Sequence, residues 1–552
     1  MKTIKNLSVL CILCSVLSLT GCKDYLTEIE PGTTLLSDYF TSTAAAQENL
    51  VGCYVPLMWE YNATYCSEWF IGDIASDDAL KGGGSTTDMA DAYDFENWRT
   101  ESNSTLLHDF YIAQFQGIAR CNLSIKYITN MPVGIDADFT QSMKNRLLGE
   151  AYYLRAYYYF RLLRVFAGVP LVTKVVDNTD DWHMPRASVA TIYDQILADL
   201  EMANKYLWVK SAYLPADAGR ATKGAAQAML MKVNLYMASP YWRGQDGKTR
   251  TGIEKSVADC YADAKAWGDS IITSGEYDLC PKYEDNFTIE GENGIESVFE
   301  IQYAEVSWGD YTWDYDWKGF GRTAGSFTQI LTRSRSSKIG GGWGFNHPTQ
   351  NLYDEFEAGD VRRDVAILVP ADELIETPAV EYYLGNKLLN NKYAMYRDSL
   401  YSGAGFGQWG IHASRGPLNN RQIRYGDVLL MYAEACIGAG DPGTAKTYID
   451  QVRARAGLAP CAVADEATLR HERRCELAME GHRWFDLVRW NGWNGMTLAQ
   501  YMDKDYAGSY AANETQDAKD HMRKFIEGKH EIFPIPYEER ILNPDMDQNP
   551  GY

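Results

Sequence analysis

The chain has 552 residues, with 74 acidic against 52 basic side chains and a net charge of −22. A chain this acidic is repelled by nucleic acid and by anionic lipid headgroups, so it suits neutral ligands better than polyanions. Beyond the first 21 residues the longest apolar candidate, 152–171, is broken by Arg155, Arg161 and Arg164, which excludes a membrane-spanning helix there.

The amino terminus has Lys2 and Lys5 followed by an apolar run over 7–19, the pattern of an export signal. The run ends in Leu19-Thr20-Gly21-Cys22 rather than in small residues of the Ala-x-Ala kind. This ending resembles a bacterial lipoprotein signal, which implies cleavage after residue 21 and acyl chains on Cys22; a plain secreted chain is the alternative. Each buried acyl methylene contributes about 0.8 kcal/mol, so several chains on Cys22 would anchor the protein durably. Residues 22–43 then read as a lipidated tether. Without residues 1–21 the balance is 50 basic to 74 acidic, since two lysines leave.

Eight of the eleven cysteines remain beyond Cys22: 53, 66, 121, 260, 280, 436, 461 and 475. They form no CxxC and no metal-ligand spacing with His. Cys53 and Cys66 could form a disulfide outside the cytoplasm, which the sequence leaves open.

In chain order, 44–60 reads as a helix behind Ser42 and Thr43 as caps. Residues 61–104 are aromatic, acidic and glycine-rich, the composition of a long functional loop. Apolar residues at three- and four-residue steps then predict helices from 105 and over 147–166, the second apolar on two sides and stopped by Gly168 and Pro170. Further helices are predicted over 189–207, 221–238 and 259–274. Their pairing suggests a solenoid of the tetratricopeptide kind, although no clean 34-residue period is present. The fold class expected is therefore mostly α, with helix pairs forming a solenoid scaffold. Between 281 and 420 the helical period disappears, a strand is predicted at 296–303, and an irregular, loop-rich lobe is expected. Helices resume over 424–438, 442–456 and 466–490.

Several stretches together resemble the SusD/RagB family. They are Gly149-Glu150-Ala151-Tyr152-Tyr153-Leu154-Arg155-Ala156, Gly168-Val169-Pro170-Leu171, Ala221-Thr222-Lys223-Gly224, Arg424-Tyr425-Gly426-Asp427, the run from Glu472-Arg473-Arg474 to Gly481-His482-Arg483-Trp484-Phe485-Asp486, and the ending Asn549-Pro550-Gly551-Tyr552. The resemblance implies a lipid-anchored protein on the outer face of the outer membrane that binds oligosaccharide or polysaccharide. It also implies a SusC-like TonB-dependent barrel as partner, and a division into 44–280, a lobe at 281–420 and a C-terminal region at 421–552.

A pyranose offers a C–H face for ring stacking and a rim of hydroxyls for polar side chains. The candidate platform is Trp69, Trp98, Trp308, Tyr311, Trp313 and Trp317, with Asp73, Asp77, Asp310 and Arg322 at the rim. Trp343, inside Gly341-Gly342-Trp343-Gly344, looks like family scaffold and is set aside. Replacing Trp98 and Trp313 by Ala is expected to weaken glycan binding at little cost in stability. Glu480, His482 and Asp486 could suggest acid–base chemistry, but their place in the family motif favours a structural role. No catalytic motif, cofactor site or nucleic-acid site is expected. Asp73, Asp77 and Asp78 lack the glycine and glutamate of an EF-hand, so no metal is assigned. The competing readings are a surface glycoside hydrolase and a peptide-binding member of the same family.

Overall fold

The computed structural model describes residues 36–59, 69–177, 182–243, 252–304, 325–378, 382–394, 416–502 and 524–552. Most helices begin where a short polar side chain can accept a hydrogen bond from the first turn, a contact worth about 1 kcal/mol each. Ser42 caps α1 (Thr43–Tyr54), a short strand β1 (Ala79–Gly82) and a helix α2 (Ala90–Glu96) follow, and Ser104 caps α3 (Thr105–Asn130). Thr140, Ser188, Thr222 and Ser256 cap α4 (Gln141–Phe166), α5 (Val189–Tyr206), α6 (Lys223–Ala238) and α7 (Val257–Thr273). The lobe that follows contributes β2 (Ser297–Ile301) and β3 (Phe345–Pro348). The C-terminal region holds β4 (Asn420–Arg424), α8 (Tyr425–Gly438), α9 (Pro442–Arg455), α10 (Glu466–Glu476), α11 (Arg483–Trp490) and α12 (Tyr537–Leu542).

Each long helix packs on the next, α3 on α4, α4 on α5, α5 on α6 and α6 on α7, and the run continues from α7 to α8 and α9. That succession makes the scaffold mostly helical, as its periodicity predicts. The two-sided apolar helix α4 sits inside this stack, with α1, α3, α5 and α6 around it. From Arg146 to Phe166 all its residues but Tyr152 are buried. Its buried cations are matched rather than exposed. Arg155 donates from Nε and Nη2 to Asp199 at 2.8 and 2.7 Å, and Arg164 lies over the rings of Phe160 and Phe485. Ala167, at φ 59°, ends α4 just before Gly168 and Pro170.

Two differences from the sequence reading matter for the site. The helix expected over 466–490 is two helices, broken where Met479 and Gly481 take positive φ. A Cβ on Gly481 would lie 2.9 Å from the Trp69 Cα, and one on Gly72 would lie 1.9 Å from the Gly481 carbonyl oxygen. Only glycines allow that approach of two backbones. Consequently, 69–83, read from sequence as part of a ligand loop, is threaded through the protein and buried throughout.

The strands are brief. β2 pairs antiparallel with β4, tying the lobe to the C-terminal region, and β1 pairs antiparallel with β3. Cys53 is buried with its thiol 3.1 Å from the Ser124 hydroxyl, and Cys66 lies outside the described residues.

Candidate functional site

The acids proposed as a saccharide rim are locked inside the protein. Asp77 accepts from Arg483 Nε at 2.7 Å, Arg474 Nη2 at 2.8 Å and the Tyr501 hydroxyl at 2.6 Å. Burial alone would raise its pKa, but Arg474 and Arg483 hold the carboxyl far below the usual range. Asp78 accepts from Arg474 Nε at 2.9 Å, and burial pushes its pKa up to about 6. Asp73 accepts from the Gly481 amide at 2.9 Å and from Asn346 Nδ2 at 3.0 Å; with no cation that close, burial raises it to about 7. Asp73 and Asp77 therefore cannot serve as the rim, because every oxygen already has a partner away from solvent.

Trp69 and Trp98 are likewise corrected. Trp69 is buried, stacked on Phe70 at 4.1 Å and pressed against Gly481. Trp98 is buried, donates from Nε1 to the Ala75 carbonyl at 3.0 Å, and meets Phe525 edge-on at 5.4 Å. Neither ring has a free face for a sugar. Trp308, Asp310, Tyr311, Trp313, Trp317 and Arg322 lie outside the described residues.

The Glu480 and Asp486 carboxylates are also held. Glu480 accepts from Arg424 Nε at 2.9 Å and Lys392 Nζ at 2.8 Å, and Asp486 from Arg473 at 2.7 Å and Arg489 at 2.8 Å. Glu472 and Glu476 are shared among Arg362, Arg424, Arg453 and Arg455. Burial drives the His482 imidazole down to about 3, so it is neutral at physiological pH.

One partly open surface does combine a ring with polar groups. β1 leads into a tight turn over 82–89, where Gly82 at φ 80° passes the β3 side so closely that a Cβ would meet the Gly344 carbonyl at 2.2 Å. Gly83 donates its amide to that same carbonyl, and Gly84 donates to Asp88 Oδ2 at 2.8 Å. Lys81 stiffens the turn from beneath, donating to the Ser85 and Asp88 carbonyls at 2.8 and 2.5 Å. Arg335 stands over the turn, 3.7 Å from Asp88 Oδ2, and donates to the Trp343 carbonyl at 3.2 Å. The Arg335 and Asp88 side chains are 31% and 39% exposed, Ser85 and Thr87 are exposed, and Trp343 is half-buried. Arg335, Asp88 and the exposed Ser85 and Thr87 thus gather at the turn, Trp343 is tied to Arg335 through its carbonyl, and its ring lies 5.9 Å from that of Phe327.

Phe327 also ties this surface to a second stretch of chain. Ser326 and Gly416 exchange backbone hydrogen bonds at 2.8 and 2.9 Å, next to the Phe327 that packs against Trp343. Trp343, set aside on sequence as family scaffold, is half-buried beside this turn.

Two adjoining cavities of 270 and 210 Å³ lie elsewhere, sharing Gly219, Arg220 and Glu300. Their polar groups already satisfy one another: Arg220 pairs with Glu150 and Asp217, and Glu300 accepts from Asn293 and Asn419. A ligand there would find few free partners, so the Trp343 surface is the stronger candidate.

Comparison with known proteins agrees with this architecture. A family model described as "SusD family" matches residues 377–552, and one described as "Starch-binding associating with outer membrane" matches 35–235. The chain belongs to the SusD/RagB family. A SusD-like protein of Formosa agariphila is 26% identical, covering 89% of this chain and 92% of its own. Among solved structures, a laminarin-binding SusD-like protein is 26% identical, with a TM-score of 0.71 over 92% of this chain and 99% of its own. Surface glycan-binding protein A from Bacteroides fluxus is 25% identical, with a TM-score of 0.71 over 93% of this chain and 100% of its own. The SusD-like fold thus carries the helical scaffold. Among the described residues, no helix is long and apolar enough to cross a membrane.

Proposed function

We propose that this SusD-like protein is a non-catalytic glycan-binding lipoprotein of the outer membrane. In this reading Cys22 carries the acyl anchor, the protein faces outward, and it passes oligosaccharide to a SusC-like TonB-dependent barrel. The observation that carries the binding role is the partly exposed Arg335–Asp88 pair at the turn, with Trp343 held to Arg335 through its carbonyl; Trp308, Tyr311, Trp313 and Trp317 are further candidate rings. A ring there stacks on the C–H face of a sugar, while Arg335, Asp88 and the exposed turn hydroxyls take its hydroxyl rim. Relatives named for glycan and laminarin binding support the same ligand class.

The binding reading is favoured over hydrolysis by the fate of the acids. Glycoside cleavage needs two carboxyl groups about 5 to 9.5 Å apart across an open cleft. The carboxylates of the C-terminal motif are instead committed to arginine and lysine. A panel of plant, microbial and host polysaccharides, with laminarin included, tests the proposal. Saturable binding with the glycan recovered intact is expected; released products would establish the hydrolase instead, and binding of peptides alone would establish the peptide reading. Mass spectrometry of the native protein is expected to find Cys22 at the amino terminus and acylated.

A further inference from the structure

The first long helix after the tether, α1, is fastened along α3 in an antiparallel register. At its start the Thr43 amide and hydroxyl each donate to Asp136 at 2.6 Å, just beyond the end of α3. Further along, Ser124 donates to Asn49 Oδ1 at 2.5 Å and Arg120 Nη1 donates to the Gly52 carbonyl at 2.8 Å. Residue numbers rise along α1 as they fall along α3, so Cys53, one turn after Asn49, faces the turn that holds Cys121 and Ser124. The Cys53 thiol is 3.1 Å from the Ser124 hydroxyl and shares a hydrogen bond with the Cys121 thiol. Both cysteines are fully buried, and the Tyr158 hydroxyl of α4 fixes the backbone there by donating to the Cys53 carbonyl at 2.7 Å. Three of the other described thiols meet different groups: Cys260 the Arg243 guanidinium at 3.2 Å, Cys461 the Lys446 ammonium at 4.0 Å, and Cys475 the Glu355 carbonyl at 3.9 Å.

We propose that Cys53 and Cys121 are joined as a disulfide in the mature protein, covalently pinning α1 to α3. The assignment rests on the proposed outer-membrane location, because disulfides persist outside the cytoplasm and not within it. The oxidant is a protein disulfide acting by thiol–disulfide exchange. The thiolate of one cysteine attacks a sulfur of the oxidant, forming a mixed disulfide and releasing one oxidant thiol. The second cysteine then displaces the other oxidant sulfur and closes the Cys53–Cys121 bond. Two electrons and the two thiol protons leave on the oxidant, which ends as a dithiol. Burial raises the Cys121 thiol well above its ordinary pKa, so the exchange belongs to folding, before α1 seats on α3. With Cys22 acylated, load on the 22–43 tether then passes from Cys53 directly to α3. The stretch 54–120, which includes the turn over 82–89, is spared that load.

The test uses the full chain recovered from native cells, denatured in N-ethylmaleimide without reductant, digested and mapped by mass spectrometry. A linked peptide pair containing Cys53 and Cys121 is expected, with Cys66, Cys260, Cys280, Cys436, Cys461 and Cys475 alkylated. Reductant is expected to lower the melting temperature of the wild type by a few degrees, through the loop of chain it releases. The same treatment should leave Cys53→Ala/Cys121→Ala unmoved and should still shift Cys66→Ser. Alkylated Cys53 and Cys121 in chains whose Cys22 is acylated, or a link from Cys53 to Cys66, overturns the pairing and leaves the location standing. Chains with Cys22 unprocessed and inside the cell overturn the location instead. Refolding the reduced chain in a glutathione redox buffer then decides the pairing by itself: the Cys53–Cys121 link is expected to form, and its failure to form overturns the proposal.

Discussion

Two neighbouring regions use the same residue types to opposite ends. In the segment 69–78, rings and acids are closed off by α10, α11 and the turn between them, and each carboxylate meets a guanidinium or an amide. A few residues later, at 82–89, a glycine turn leaves Asp88, Arg335 and Trp343 partly open to solvent. The difference lies in partners and not in composition. Buried ion pairs fix a unique threading of one strand through the protein, whereas the open set keeps hydrogen-bonding capacity for a ligand.

Breaking the closed region should have the largest effect. Arg474 binds the buried Asp77 and Asp78 and the partly exposed Glu355, so Arg474→Met takes a cation from two buried acids and should cost about 3–5 kcal/mol. Chemical denaturation would measure this, and a loss below about 1 kcal/mol would show the lattice to be dispensable. Trp98→Ala should also act on stability, costing about 3–5 kcal/mol through the cavity it leaves among Ala75, Trp484 and Phe525. The expectation that Trp98 could be removed cheaply is thereby reversed.

A pH experiment sharpens the same comparison. The folded-state pKa of Asp73, about 7, lies above the ordinary 3.8, so the native state holds its proton more tightly than the unfolded chain. Its contribution is fully present below about pH 4 and is lost as pH rises through 7. Asp77 and Glu355 run the other way, with depressed pKa values and stability lost as the solution is acidified through them. Asp73→Asn should therefore flatten the fall in stability between about pH 4 and pH 7. An unchanged slope in urea melts across that range would mean that Asp73 does not titrate there. The smallest effect is expected at the open surface itself. Asp88→Asn removes a partly exposed pair and should change stability by less than about 1 kcal/mol, with a few-fold loss of glycan affinity in titration.

The helical scaffold was legible because its signals are local. Ser42, Thr222 and the three- and four-residue apolar steps of α3 and α4 act within one or two turns. The break between α10 and α11 was not legible, since it depends on Gly72 meeting Gly481 across more than 400 residues of chain. The same long-range contact hid the burial of Trp69, Asp73 and Asp77, whose polar and aromatic character alone reads as a ligand loop. The family, carried by the Glu472 to Asp486 run, was legible from sequence; the role of that run, which is to bind the 69–78 segment through Arg474 and Arg483, was not.

The central claim is that glycan is held at Trp343 and its polar neighbours, while Trp98 is part of the core. Titration of one bound glycan into folded wild type, Trp343→Ala and Trp98→Ala tests it most directly. The expected result is a loss of about 2 kcal/mol, roughly thirty-fold in affinity, for Trp343→Ala, with near-wild-type affinity for the folded fraction of Trp98→Ala. Wild-type affinity in Trp343→Ala, together with lost binding in a fully folded Trp98→Ala, would contradict it.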